Sequence, residues 1–151
     1  MSKKTYGYNE SPFCCIGAIF VPSSEGDQVI VMKRKQVGHR SADYVLPGGN
    51  SEPGEKPADT IRREIEEEVG VQPVAAFQAG VREFSPDHHQ IFWLVIINEK
   101  GEPLPTMRQE EKEDGLEILG PPELLTLPVA FHYLTSNHRV ALEHVEAFCL
   151  Q

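Results

Sequence analysis

The run Glu64-Ile65-Glu66-Glu67-Glu68 follows Arg62-Arg63 and precedes Val69-Gly70 in a chain of 151 residues. On an α-helix at about 100° per residue, with Glu64 at zero, Glu67 falls near about −60° and Glu68 near about +40°. Three carboxylates then share one narrow arc. Ala58, Ile61, Ile65 and Val69 fall at roughly +60° to +140°, the adjoining stripe that should face a core. Glu66, Asp59 and Arg62 take the opposite, solvent side, so Glu68 borders the core. Like charges at i, i+3 and i, i+4 repel by about a few tenths of a kcal/mol when exposed, and by more where water is partly excluded. One acid can stay protonated, or the cluster can hold a hard divalent cation. Oxygen donors with no nearby His or Cys suit Mg2+ or Mn2+ over zinc. The plainer alternative is a solvated acidic face.

That helix needs a frame. Proline in its first turn and Gly70 as a stop bound it at Pro57 to Val69. Phe13 to Val21 and Gln28 to Met32 read as a β-hairpin, ended by the positive run Lys33-Arg34-Lys35. A loop through Gly38-His39-Arg40-Ser41 leads to the short apolar piece Tyr44-Val45-Leu46, and Pro47-Gly48-Gly49 breaks regular structure. Val74 to Phe84 and Gln90 to Asn98 read as strands joined by a turn that includes His88 and His89. Ile91 to Ile97 is apolar without alternation, as expected of a strand covered on both faces, with Phe92 and Trp93 in the core. Gln109 to Asp114 reads as a charged loop, Leu116 to Leu119 as a short strand and Pro122 to Leu127 as a short helix. Ser136 to Cys149 is a terminal helix with Ala141, Val145 and Phe148 on one stripe. Strands with one internal and one terminal helix give a mixed α/β layer fold in a single domain over residues 1–151.

Charge limits the partners. Fourteen Lys plus Arg against 23 Asp plus Glu leave a formal charge of −9, which disfavours general nucleic-acid binding. A phosphorylated ligand remains compatible when a metal ion separates the two sets of negative charge. No apolar run reaches the ~20 residues of a membrane span, and the N-terminus does not read as a secretory signal. Cys14, Cys15 and Cys149 have no CxxC spacing and read as small buried thiols of a reducing, cytoplasmic protein.

The segment around the glutamates has a further regularity. Gly49 is followed after five residues by Glu55, after seven more by Arg63-Glu64, then Ile65, any residue, Glu67-Glu68, any residue, Gly70 and Val71. A match at seven fixed identities arises by chance on the order of once in a million. This spacing is that of the Nudix signature, and the chain resembles a Nudix hydrolase. Tyr44-Val45-Leu46-Pro47-Gly48-Gly49 is similar to the family's usual entry into the box, with Tyr where Trp is common.

The resemblance implies an α/β (α+β) sandwich, a mixed sheet between helices, in which the signature forms a loop–helix–loop. It implies that Glu64, Glu67 and Glu68, with the Gly49 carbonyl, ligate Mg2+ (Mn2+ as a substitute). Arg63 and Glu55 would orient the helix, and Gly48 would support the box. Family members hydrolyse a nucleoside diphosphate linked to another group, X: water attacks phosphorus while a carboxylate accepts its proton. Glu67 is one candidate base; Glu110, Glu111 and Glu113 are candidates as base or extra metal ligand. Lys33, Arg34, Lys35 and Arg40 are candidate phosphate contacts. A nucleoside triphosphate, ordinary or modified, is the expected substrate. ADP-ribose or a nucleotide sugar is the alternative, since Pro86 lies fifteen residues beyond Val71. A non-catalytic Nudix-fold module is the third reading, although such modules usually lose one of the glutamates retained here. Many relatives are dimers, so a homodimer is a candidate assembly.

Overall fold

The computed structural model describes residues 13–36, 43–99, 102–107, 116–118 and 121–151. The elements run β1 (Phe13–Ala18), β2 (Phe20–Val21), β3 (Gln28–Gln36), β4 (Asp43–Val45), β5 (Gly48–Asn50), α1 (Pro57–Val69), β6 (Ala75–Ser85), β7 (His88–Ile96), β8 (Leu116–Ile118), β9 (Glu123–Thr126), α2 (Leu127–Tyr133) and α3 (Ser136–Cys149). One mixed sheet has the order β5-β1-β7-β6. Its centre pair β1 and β7 is parallel, flanked by antiparallel β5 and β6. In a second sheet β3 pairs antiparallel with β2, β4, β8 and β9.

Alternation along β1 and β7 decides the layering. Cys15, Ile91, Trp93 and Val95 join Ile61, Ile65 and Val69 of α1 in one apolar cluster. Ile16, Ala18 and Phe92 point the other way and join Ala141, Leu142 and Val145 of α3. The mixed sheet is thus covered on both faces, as the unbroken apolar run of β7 requires. Both Phe92 and Trp93 are core residues. A Cβ at Gly17 would lie 3.0 Å from Ile61 Cδ1 and 3.1 Å from Val95 Cγ2, so glycine there lets α1 settle closely on the sheet.

Several boundaries differ from the sequence reading. The segment expected as a helix at Pro122 to Leu127 is strand β9, followed by α2. Pairing on β3 outweighs local preference there, since Leu124 packs on one core cluster and Leu125 on the other. Strand β3 runs through Lys33-Arg34-Lys35 to Gln36 because β4 and β8 pair with that charged stretch. Gly48-Gly49, expected to break regular structure, forms β5 on β1, and His88 and His89 begin β7 instead of lying in a turn. The Phe13 to Val21 strand divides at Ile19. Of the three cysteines only Cys15 is buried; Cys14 is partly buried and Cys149 exposed. Among the described residues no helix is long and apolar enough to cross a membrane.

Candidate active site

Helix α1 carries the carboxylates, and its ends are set by local chemistry. Pro57 opens it, Lys56 N–H donates to Asp59 Oδ2 at 3.3 Å, and Gly70 closes it at φ 79°. In that left-handed conformation the Gly70 N–H donates to the Ile65 and Glu66 carbonyls at 3.2 and 3.1 Å. The arc divides by depth. Glu64 and Glu68 are each 3% exposed, whereas Glu67 is partly exposed. The sequence reading placed Glu68 at the core border; Glu64 is equally deep because β5 lies over it.

One guanidinium organises the cluster. Arg63 Nε donates to Glu55 Oε2 at 2.8 Å and Nη2 to Glu55 Oε1 at 3.0 Å, a bidentate pair. Its Nη1 donates to Glu64 Oε1 at 2.8 Å and reaches Glu67 Oε2 at 3.3 Å, while Nη2 also donates to the Asn50 carbonyl at 2.9 Å. Arg63 therefore joins the loop, the helix and β5. Its pKa is raised, first by Glu55 and then by Glu64 against the effect of burial. Burial alone would raise the Glu55 carboxyl, but donors from Arg63, the Glu52 N–H and the Thr60 hydroxyl hold it down to about 2.

The two glycines act by closeness. A Cβ at Gly48 would strike the Cys15 carbonyl and come within 2.9 Å of Ile16 Cα, so only glycine allows β5 to pair there. Gly48 N–H then donates to Glu68 Oε1 at 2.8 Å. A Cβ at Gly49 would press into the Glu64 carboxylate, 2.5 Å from its Cδ.

Among the described residues, no three His, Cys, Asp or Glu side chains are arranged to hold a metal ion. The reason is visible: Glu64 and Glu67 turn to Arg63, and Glu68 turns to Gly48. The glutamates share one place but are bonded to the chain's own donors. Their type still fits a hard divalent cation, being carboxylate oxygens, and the bare Gly49 Cα leaves Glu64 the space that a side chain would fill. Glu64, Glu67, Glu68 and the Gly49 carbonyl are the groups that would hold it once those side chains turn from their present partners.

Beside the box a cavity of about 240 Å³ is lined by Cys14, Arg34, Gly49, Gln90, Asn137 and His138, among others. Of the four basic residues expected as phosphate contacts, Arg34 lines this cavity. Lys33, on the opposite side of the pleat, lies 5.8 Å from the Tyr44 ring centroid. The Lys35 side chain and Arg40, Glu110, Glu111 and Glu113 fall outside the described residues. The sequence reading missed Gln90, Asn137 and His138 of the cavity. His138 is buried and accepts the Leu46 N–H on Nδ1 at 3.0 Å. Burial first, then the Arg34 charge, push its pKa down to about 3, so the ring is neutral with its proton on Nε2. Asn137 Oδ1 accepts from Arg82 Nη2 at 2.7 Å, which makes Nδ2 the donor end of that amide. Gln90 is 7% exposed at the head of β7. A polar residue opening an otherwise apolar strand was the available signal for Gln90; nothing local marked the other two.

The NUDIX domain family model matches residues 15–143. An 8-oxo-dGTP diphosphatase of Escherichia coli is 32% identical over 105 residues, covering 68% of this chain and 80% of that protein. An RNA pyrophosphohydrolase of Bartonella clarridgeiae is 33% identical over 90 residues, covering 57% of this chain but only 51% of its own length. In fold, the chain is similar to the NUDIX domain of Shewanella oneidensis NrtR complexed with ADP ribose, with a TM-score of 0.68, 12% identity and coverage of 93% and 89%.

Proposed function

The chain belongs to the Nudix family, hydrolases of nucleotide pyrophosphate bonds, and we propose that it cleaves a nucleoside triphosphate, ordinary or oxidised in its base, to the monophosphate and pyrophosphate with Mg2+ bound. The carrying observation is the cavity lined by Gly48, Gly49 and Asn50 of β5, the strand against the carboxylate helix, together with Arg34, Gln90 and Asn137. A base seated there brings its phosphates to the box. The E. coli relative's substrate, 8-oxo-dGTP, is a ligand of that kind.

In the reaction a water oxygen bonds to phosphorus, the phosphoanhydride P–O bond breaks, its electrons leave with the departing phosphate, and the water's proton passes to a carboxylate. When bound, the cation neutralises phosphate oxygens and lowers the pKa of water. Arg63 holds the helix against β5 and fixes the carboxylates' positions. Glu64 and Glu68, deeply buried, suit cation binding; Glu67, open to solvent, is the better placed proton acceptor among the described residues. Arg34 meets phosphate or base charge from the cavity side. The free thiols suit a cytoplasmic protein.

ADP-ribose is the second reading, favoured by Pro86 in the β6–β7 turn and by the ADP ribose of the NrtR domain. Pyrophosphate and phosphate release from nucleoside triphosphates, nucleotide sugars and ADP-ribose, with Mg2+, separates the two. Glu67→Gln and Glu68→Gln serve as controls. Wild type no more active than both variants across the panel would end the enzymatic reading.

A further inference from the structure

Across the mixed sheet, Asn50, Cys14, Gln90 and Arg82 stand opposite one another in a row over β5, β1, β7 and β6. Opposed residues share a face, and alternation with Ile16 and Phe92 puts this row on the face that α3 covers. The first three line the cavity of about 240 Å³, which Asn137 and His138 of the first turn of α3 also line. That turn is tied on two flanks. Toward β4, the Thr135 N–H donates to the Tyr44 carbonyl at 3.1 Å and the Leu46 N–H to His138 Nδ1 at 3.0 Å. Toward β6, Arg82 Nη2 donates to Asn137 Oδ1 at 2.7 Å. A guanidinium only donates, so it fixes the carbonyl end of the amide, and a charged donor holds it more firmly than a neutral one.

We propose that Arg82 is a positioning residue for the substrate cavity, acting through Asn137 to hold the first turn of α3 against the row formed by Asn50, Cys14 and Gln90. This rests on the reading that the nucleoside part of the substrate enters the cavity. Arg82 then supports binding of the nucleoside and leaves binding of the phosphates at the box unchanged. Without its guanidinium the amide has no fixed end and the turn no tie to β6 through Asn137. The ligand must then order that turn itself, at a cost in affinity.

The test is a double-mutant cycle read by calorimetric binding of dGMP, 8-oxo-dGMP, AMP and pyrophosphate to the intact protein with Mg2+. Arg82→Met keeps the side-chain stem without the guanidinium, Asn137→Ala removes the amide, and the third protein carries both changes. Each single variant should bind the nucleotide that wild type prefers about tenfold more weakly, and pyrophosphate within about twofold of wild type. If Arg82 acts through Asn137, the double variant should be no weaker than the weaker single variant, to within about twofold. Effects that multiply in the double variant overturn the proposal, because Arg82 then works independently of Asn137. A loss on pyrophosphate as large as that on the nucleotide overturns it too, since it marks a direct phosphate contact or a damaged box. So does an Arg82→Met protein that binds the nucleotides as wild type does, or a wild type that binds them no more tightly than pyrophosphate. Binding needs no bond cleavage, so a protein that shows the expected cycle without turnover would end the proposed function and leave this inference standing.

Discussion

Lowering the pH from 7 to 5 should cost the protein stability through His138 alone. The ring is buried, accepts the Leu46 N–H and faces Arg34, and its pKa stands at about 3. Once unfolded, it returns to about 6.5. The folded value is the lower one, so the contribution is complete above about pH 6.5 and is lost as pH falls toward about 3. At pH 5 the unfolded chain holds nearly a full proton on this residue and the folded chain almost none. The linkage relation then gives a loss of about 2 kcal/mol between pH 7 and 5, nearly independent of the folded value so long as it lies below about 4. Urea unfolding should show this as a midpoint shift of about 1 M. His138→Asn supplies an acceptor for Leu46 N–H without a titrating ring, so the difference between wild type and variant isolates the residue from other groups. If both lose the same stability over that interval, His138 is not a neutral acceptor in the folded state. The same proton would detach Leu46 from α3, two residues before Gly48, so activity should fail along with stability.

Three other outcomes are expected. Glu55 titrates at about 2 when folded, so it adds stability above about pH 4.5 that is lost as pH falls toward 2; Glu55→Gln should flatten this acid limb in urea melts by about 1 kcal/mol, since the group is partly solvent-screened. Gly48→Ala sets a Cβ against backbone atoms of β1, which cannot move as a side chain could, and should lower thermal stability by about 2–3 kcal/mol with loss of turnover. EDTA should abolish hydrolysis and Mg2+ restore it, while the melting temperature shifts by only about a few degrees, because Arg63 already pairs with Glu64 and Glu67 and the Gly48 N–H with Glu68; a collapse of the fold on chelation would contradict that.

The carboxylate arc was legible because helical spacing is local: positions 64, 67 and 68 face one way whatever surrounds them, and Arg63–Glu55 falls within one loop–helix unit. The two-sided cover of β7 was legible for the same reason, in its unbroken apolar run. Position 123–126 was not, because its strand conformation comes from β3, nearly a hundred residues earlier. The charged end of β3 misled in the opposite sense: Lys33 and Arg34 can stay in a ladder when β4 and β8 supply partners. Gln90, Asn137 and His138 are separated along the chain from Cys14 and Leu46, and only folding joins them. The arrangement of the glutamates about Arg63 was likewise beyond spacing alone, since it depends on where a guanidinium comes to rest.

That guanidinium has a consequence for how the enzyme lives with its ion. A knot of acids that carries an internal counter-charge can assemble on the ribosome without waiting for magnesium, unlike small domains whose fold is held by their metal. At the proposed cation site, loading would exchange one positive partner for another, and the grip on the incoming ion would be the difference between two attractions. Such a centre can release its ion between turnovers and still keep its shape.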